Sequence, residues 1–340
     1  MPTRVIQVDS NAPESNLIAE AAKVLRAGGL VAFPTETVYG LGANALDAEA
    51  VSRVFVAKGR PANNPVIVHI TETKQAEDLV TLWPETAALL ASRFWPGPLT
   101  LVLSRRPSIP DIVTAGGPTV AIRMPAHPVA LALLRAVQVP IAAPSANRST
   151  YLSPTRAEHV LGGLEGRIDL LLEAGPTAGG IESTVIDLTA SPPRLLRPGL
   201  IAVADLEAVV GKVDQSLVTV GPLVSQPLKS PGMLERHYAP RARLECVEND
   251  ALALALEHLS KGLRTGLLTF GQLLAVENPL LTIVIMPADP PAYAAQLYAV
   301  LHDLDRAAIE RIVVALPPDA PEWMAVRDRL RKASTAPESS

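Results

Sequence analysis

Apolar positions along the first two hundred or so residues alternate between two textures. From Asn16 to Arg26, residues Leu17, Ala21, Val24 and Leu25 share one helical face, and Gly28-Gly29 ends the pattern. The run Leu30-Val31-Ala32-Phe33 then reads as a buried strand closed by Pro34. A second helix, from about Ala48 to Val56, leads into Lys58-Gly59-Arg60. Short apolar runs at Val66–Ile70, Leu99–Leu103, Val120–Met124, Ile141–Ala143, Leu170–Glu173 and Thr184–Leu188 continue as strands. Strands and helices in alternation, joined by short connections, predict an α/β class.

The pattern changes between about Leu200 and Arg243. Sustained periodicity stops, and Gly221-Pro222, Pro227, Ser230-Pro231-Gly232 and Ala239-Pro240 punctuate the stretch, which reads as a long linker. Beyond it, strands are expected at Arg243–Val247, Leu263–Thr269, Thr282–Met286 and Arg311–Ala315. Helices are expected at about Asp250–Leu259, Ala292–His302 and Pro321–Lys332. This is a small Rossmann-like α/β domain without a Gly-rich fingerprint. The predicted division is therefore a first domain over residues 1–205, a linker over 206–243 and a C-terminal domain over 244–335.

Composition narrows the class. A chain of 340 residues favours two domains over one, and 48% hydrophobic with 19% charged residues is globular. The mean hydropathy of +0.25 comes from Ala, Leu and Val spread over many segments, with no apolar run of the ~20 residues a bilayer requires. Met1 to Asn11 carries Arg4 and Asp9 and no apolar stretch, unlike a signal peptide. The single cysteine, Cys246, excludes an internal disulfide framework and reads as a small buried apolar residue. A cytoplasmic location is expected, with no membrane contact. The net charge of −4 argues against a protein that chiefly grips nucleic-acid backbone.

Three segments carry candidate chemistry. Phe33 to Gly42 (FPTETVYGLG) puts Thr35, Glu36 and Thr37 at the end of a buried strand, where open α/β sheets bind ligands; a plain turn would explain Pro34, Gly40 and Gly42 but not those polar groups. In Lys58 to Pro65 (KGRPANNP), Lys58 and Arg60 could be a helix-end cation and a loop charge, or two cations aimed at one polyphosphate. No G-x-x-x-x-G-K-[ST] loop exists to do that work. In Ile141 to Arg148 (IAAPSANR), Ser145 and Asn147 either make a local turn or present a hydroxyl and an amide to a phosphate. Arg123 suits a ligand carboxylate or a structural ion pair, and His69 a ligand or a core position. The histidines at 69, 127, 159, 237, 258 and 302 show no metal-ligand spacing, so no protein-caged metal is expected.

Together these segments resemble the YrdC-like family in its long form, whose members make threonylcarbamoyl-adenylate. The signature K-x-R and S-x-N falls at Lys58/Arg60 and Ser145/Asn147, and Ser230–Met233 to His237–Pro240 is similar to the long form's linker motif. The resemblance implies an open twisted α/β domain, a linker serving as a lid, and an appended Rossmann-like domain. It implies that Thr37, His69, Arg123, the backbone at Ala143, and Ser183 hold L-threonine. Lys58, Arg60, Asn64, Thr119, Ser145, Ser153, Arg197 and Tyr238 would surround ATP, with Lys58, Arg60, Ser145 and Asn147 as the catalytic set.

The implied reaction joins L-threonine, bicarbonate and ATP into threonylcarbamoyl-AMP and pyrophosphate, for a tRNA modification. Mg²⁺ would be held mainly by ATP phosphates, and the downstream partners would be the tRNA threonylcarbamoyl-transfer machinery, with room for weak tRNA contact. One rival is a structured-RNA-binding module without catalysis, which the negative charge and the absence of a Lys/Arg stripe oppose. A second is the carbamoyl-adenylate chemistry of hydrogenase-maturation proteins, whose zinc-finger sequences one cysteine cannot build.

Overall fold

The computed structural model describes residues 2–216, 228–231, 238–270 and 277–334. The chain forms two compact units, Met1–Ser149 with Ser153–Leu234, and Thr150–Leu152 with Glu235–Ser340.

The first unit is built on a ten-stranded mixed sheet. From edge to edge its strands are Arg4–Gln7, Leu170–Glu173, Val31–Phe33, Gly40–Asn44, Ile141–Ala142, Ile67–His69, Thr119–Arg123, Leu99–Ser104, Thr184–Asp187 and Arg194–Arg197. Most positions of the central strands are apolar because both faces are covered, with polar exceptions such as His69, Thr119 and Arg123. Val31 and Phe33 join one core cluster with Ile18, Leu25 and Leu133, whereas Ala32 joins another with Val54, Val160 and Leu164. Leu170 and Leu172 divide from Leu171 in the same way, as period-2 side-chain alternation requires.

The helix Ala48–Lys58 illustrates how local rules place functional residues. Asp47 accepts hydrogen bonds from the Glu49 and Ala50 amides and so caps its N-terminus. At the other end Gly59 takes the left-handed conformation (φ 62°), and the Arg60 amide returns to the Phe55 carbonyl at 2.9 Å. The glycine between Lys58 and Arg60 is thus a helix stop, which sends the two cations off in different directions.

The second unit carries a wholly parallel four-stranded sheet, in the order Arg243–Val247, Arg311–Ala315, Thr265–Phe270, Leu281–Met286. Three helices accompany it: Ala251–Ser260, Pro290–Arg306 and Met324–Ala333. Two of the four strands have the bounds expected from sequence. The Tyr238 ring is buried against Tyr298 (centroids 5.8 Å apart) and beneath the Arg329 guanidinium at 5.2 Å. In the same unit Tyr151 bridges to Ala239, whose amide donates to the Thr150 carbonyl at 2.9 Å.

Sequence periodicity overlooked three strands: Arg4–Gln7, Gly40–Asn44 and Arg194–Arg197. Their exposed, glycine-bearing or charged compositions hide the apolar signal. The helix Val203–Val210 also runs through residue 206, where the sequence suggests that the linker begins. The linker motif's residues 232–237, His237 included, lie outside the described residues.

Gly199 sits where the chain turns back past Ser183 and Thr184. A Cβ there would lie 2.3 Å from the Thr184 nitrogen and 2.5 Å from the Ser183 carbonyl carbon, both backbone atoms. Gly199→Ala should therefore lower stability by about 1–3 kcal/mol, as overpacking does. Denaturant unfolding followed by circular dichroism measures this, and wild-type stability would mean that the backbone yields there at no cost.

Candidate active site

The Thr35–Thr37 turn is held by its own hydroxyls. Thr35 Oγ1 donates to the Val38 carbonyl at 2.7 Å, accepts from the Thr37 and Val38 amides, and lies 2.8 Å from Thr37 Oγ1. This fixes Thr37 Oγ1 as an acceptor for Arg123 Nη1 at 3.0 Å. Arg123 ends its strand, is buried, and also donates from Nε to the Gly97 carbonyl at 3.2 Å. Its Nη2 lies 2.6 Å from Glu36 Oε1. That contact is ionic, with angles outside hydrogen-bond geometry, so both buried Glu36 oxygens lack a donor among the described residues.

His69 stands beside Arg123 in strand register. Burial, reinforced by the Arg123 charge, pushes its pKa down to about 3, so the imidazole is neutral at physiological pH. Its ring meets Phe33 edge-on, with centroids 6.4 Å apart. His127, at the N-terminus of the helix Pro128–Val137, feels the Glu36 charge, but burial outweighs it and lowers the His127 pKa.

Lys58 is buried, and its ammonium meets the S-x-N loop. Nζ donates to the Ser145 carbonyl at 2.6 Å, the Asn147 carbonyl at 2.5 Å and Asn147 Oδ1 at 3.2 Å. Ser145 Oγ adds a bond to Asn147 Oδ1 at 2.5 Å, and the Ser149 amide donates to the Lys58 carbonyl. Burial, then the nearby Arg60 charge, holds the Lys58 pKa well below its ordinary value. Arg60 donates to the Asn64 carbonyl and Oδ1 and to the Pro65 carbonyl at 2.6–2.9 Å. The two signature cations therefore each brace a loop.

Ser183 anchors a third group. Its Oγ lies 2.8 Å from Thr100 Oγ1 and accepts from Arg197 Nη2 at 3.1 Å, and its carbonyl accepts from Arg197 Nε. Next to it, Glu182 Oε1 accepts from Ser153 Oγ at 2.5 Å. Arg197 also reaches the Pro231 carbonyl at 3.4 Å, and the Leu228 amide donates to the Asn63 carbonyl, so residues 228–231 of the linker lie on this unit.

The structure thus joins Thr37 with Arg123, Arg123 with His69 in register, Lys58 with Ser145 and Asn147, Arg60 with Asn64, and Arg197 with Ser183. The Ala143 amide is spent on the Ile67 carbonyl, Thr119 opens the strand that ends in Arg123, and Tyr238 belongs to the second unit. Sequence reasoning passed over Thr100 and Gly97, whose residue types carry no signal of a site.

Two family models match the chain. The Sua5/YciO/YrdC model, described as telomere recombination, covers residues 23–199, and the model of the threonylcarbamoyl-AMP synthase C-terminal domain covers 201–335. Among curated relatives, a Pyrococcus abyssi protein named threonylcarbamoyl-AMP synthase is 45% identical, spanning 92% of this chain and 93% of its own. A Bacillus subtilis protein of the same name is 44% identical over 96% and 95%. The crystal structure of P. abyssi Sua5 complexed with L-threonine superposes with a TM-score of 0.91 at 43% identity, covering 98% of both chains. By these matches the chain belongs to the Sua5/YciO/YrdC family.

Proposed function

We propose that this protein is a threonylcarbamoyl-AMP synthase, using L-threonine, bicarbonate and ATP. The observation that carries the reading is the buried Thr37–Arg123–Glu36 group beside a neutral His69, a receptor of one cation and one anion suited to a small zwitterion. Full-length similarity to relatives of that name supports it. Arg123 takes the threonine carboxylate, with Thr37, His69, the Ala143 backbone and Ser183 around the remainder. Arg60, Asn64, Thr119, Ser145, Ser153 and Arg197 receive ATP. The first domain, over residues 1–205, carries the chemistry.

In the reaction the threonine amine and bicarbonate give a carbamate and water. A carbamate oxygen then attacks the α-phosphate, and pyrophosphate leaves. No protein nucleophile is required; the chain supplies proximity and offsets phosphate charge. Mg²⁺ would be carried in on ATP oxygens. That ion would neutralise phosphate charge. Lys58 acts by fixing Ser145 and Asn147, and its buried charge reaches the phosphates through that loop. The product's chemistry fits a later transfer to tRNA by other proteins.

Purified protein should release pyrophosphate from ATP with L-threonine and bicarbonate, less with serine and least with valine, because a site built for a hydroxyl rejects an isostere lacking it. Arg123→Ala should raise the threonine requirement more than the ATP requirement. RNA retention without pyrophosphate release would favour the RNA-binding alternative and sink this reading. Lys58→Ala and Arg60→Ala should each slow turnover at least about tenfold, equivalent to about 1.4 kcal/mol in the barrier. The Lys58 variant should also unfold at lower denaturant, since two buried carbonyls lose a charged donor. Wild-type rates in folded variants would remove both residues from the mechanism.

A further inference from the structure

Glu36, the anion of that receptor, is the group whose two oxygens are left unsatisfied among the described residues. Both of its oxygens are buried and lack hydrogen-bond donors among the described residues. Among the described residues its charge partner is Arg123 Nη2, 2.6 Å from Oε1, and none pairs a cation with the other oxygen. Buried carboxylates without donors are rare in folded proteins and costly where they occur. The loop cannot easily swing Glu36 away, because its carbonyl accepts from the Gly179 amide at 2.8 Å and Thr35 locks the turn on the other side. Nearby titratable groups do not fill the vacancy: His69 is neutral, and burial keeps the His127 pKa low.

Charge arithmetic indicates what belongs there. When a carboxylate ligand docks on Arg123, it shares that guanidinium with Glu36, and two anions then face one cation. An α-amino acid brings its own second cation on the carbon next to its carboxylate. The pair Arg123–Glu36 is thus complementary to carboxylate and ammonium together, and a carboxylic acid without an amine leaves Glu36 uncompensated. We infer that Glu36 is the receptor for the substrate's α-ammonium group and the acceptor of the proton that this group must lose. In that step an N–H bond breaks, an O–H bond forms on the Glu36 carboxylate, and the nitrogen keeps the electron pair with which it attacks the carbon derived from bicarbonate. The inference rests on the threonine reading above and adds selectivity for the amine to it.

The test compares binding of L-threonine with binding of (R)-3-hydroxybutyrate, the same molecule with hydrogen in place of the amine, by calorimetry on the full chain. The wild type should prefer threonine by at least about tenfold. Glu36→Gln, checked for a wild-type melting temperature, should lose most of that preference and bind the amine-free acid at least as well as before. Glu36→Asp, which keeps the charge, should retain part of the preference and guards against a folding artefact in the glutamine variant. An undiminished preference in Glu36→Gln, or tighter threonine binding there, would overturn the inference and make Glu36 a mere occupant of Arg123. If the wild type binds neither molecule, the threonine reading falls too. Wild-type threonine binding with an indifferent Glu36→Gln variant removes only the role of Glu36.

Discussion

The site depends first on the Lys58 ammonium buried beneath the S-x-N loop. A charge taken out of water must find several strong acceptors, and Lys58 finds two backbone carbonyls and a side-chain amide oxygen on one loop. That requirement fixes the loop's path, because moving it would strand the ammonium. The Ser145 and Asn147 side chains inherit their orientation from this constraint, and the helix Ala48–Lys58 inherits its function. The left-handed Gly59 is the local device that ends the helix with Lys58 pointing at the loop and Arg60 departing toward Asn64.

A second constraint is neutrality. The Thr37–Arg123–Glu36 group holds one cation and one anion at 2.6 Å, flanked by hydroxyls and an uncharged imidazole. Buried pairs of this kind add little stability compared with apolar packing. Their value lies in the ligand they fit. The Lys58, Arg60 and Arg197 cations differ in character, since they are braced by carbonyl and hydroxyl oxygens.

Much of the fold was legible in the sequence because many strands are buried on both faces and read as apolar runs; Leu170–Glu173 and Arg311–Ala315 are of this kind and have the expected bounds. Gly40–Asn44 was missed because two of its five residues are glycine, and in a turn-rich motif glycine signals a turn before a strand. Gly42 is required there by contact: a Cβ would lie 2.8 Å from both Ile141 and Phe33. The K-x-R and S-x-N residues were found by spacing, but spacing cannot reveal that Lys58 and Asn147 meet. A lysine bonded to carbonyls and a lysine bonded to phosphate look alike in one dimension. Glu36 was visible as a polar residue after a buried strand, whereas its pairing with Arg123 needed the fold.

The Thr150–Leu152 excursion has a consequence for assembly. These residues lie in the middle of the first unit's sequence yet belong to the second, where Tyr151 bridges to Ala239. During synthesis the first unit's strands are all available well before residue 239 leaves the ribosome. Its sheet can close while those three residues still lack their partners. The second unit then completes itself around a segment supplied from far upstream, a long-range closure whose entropic cost grows only slowly with the length of chain between. Order of synthesis and order of the two cores therefore coincide, except at this one short loop, which must wait for the later part of the chain.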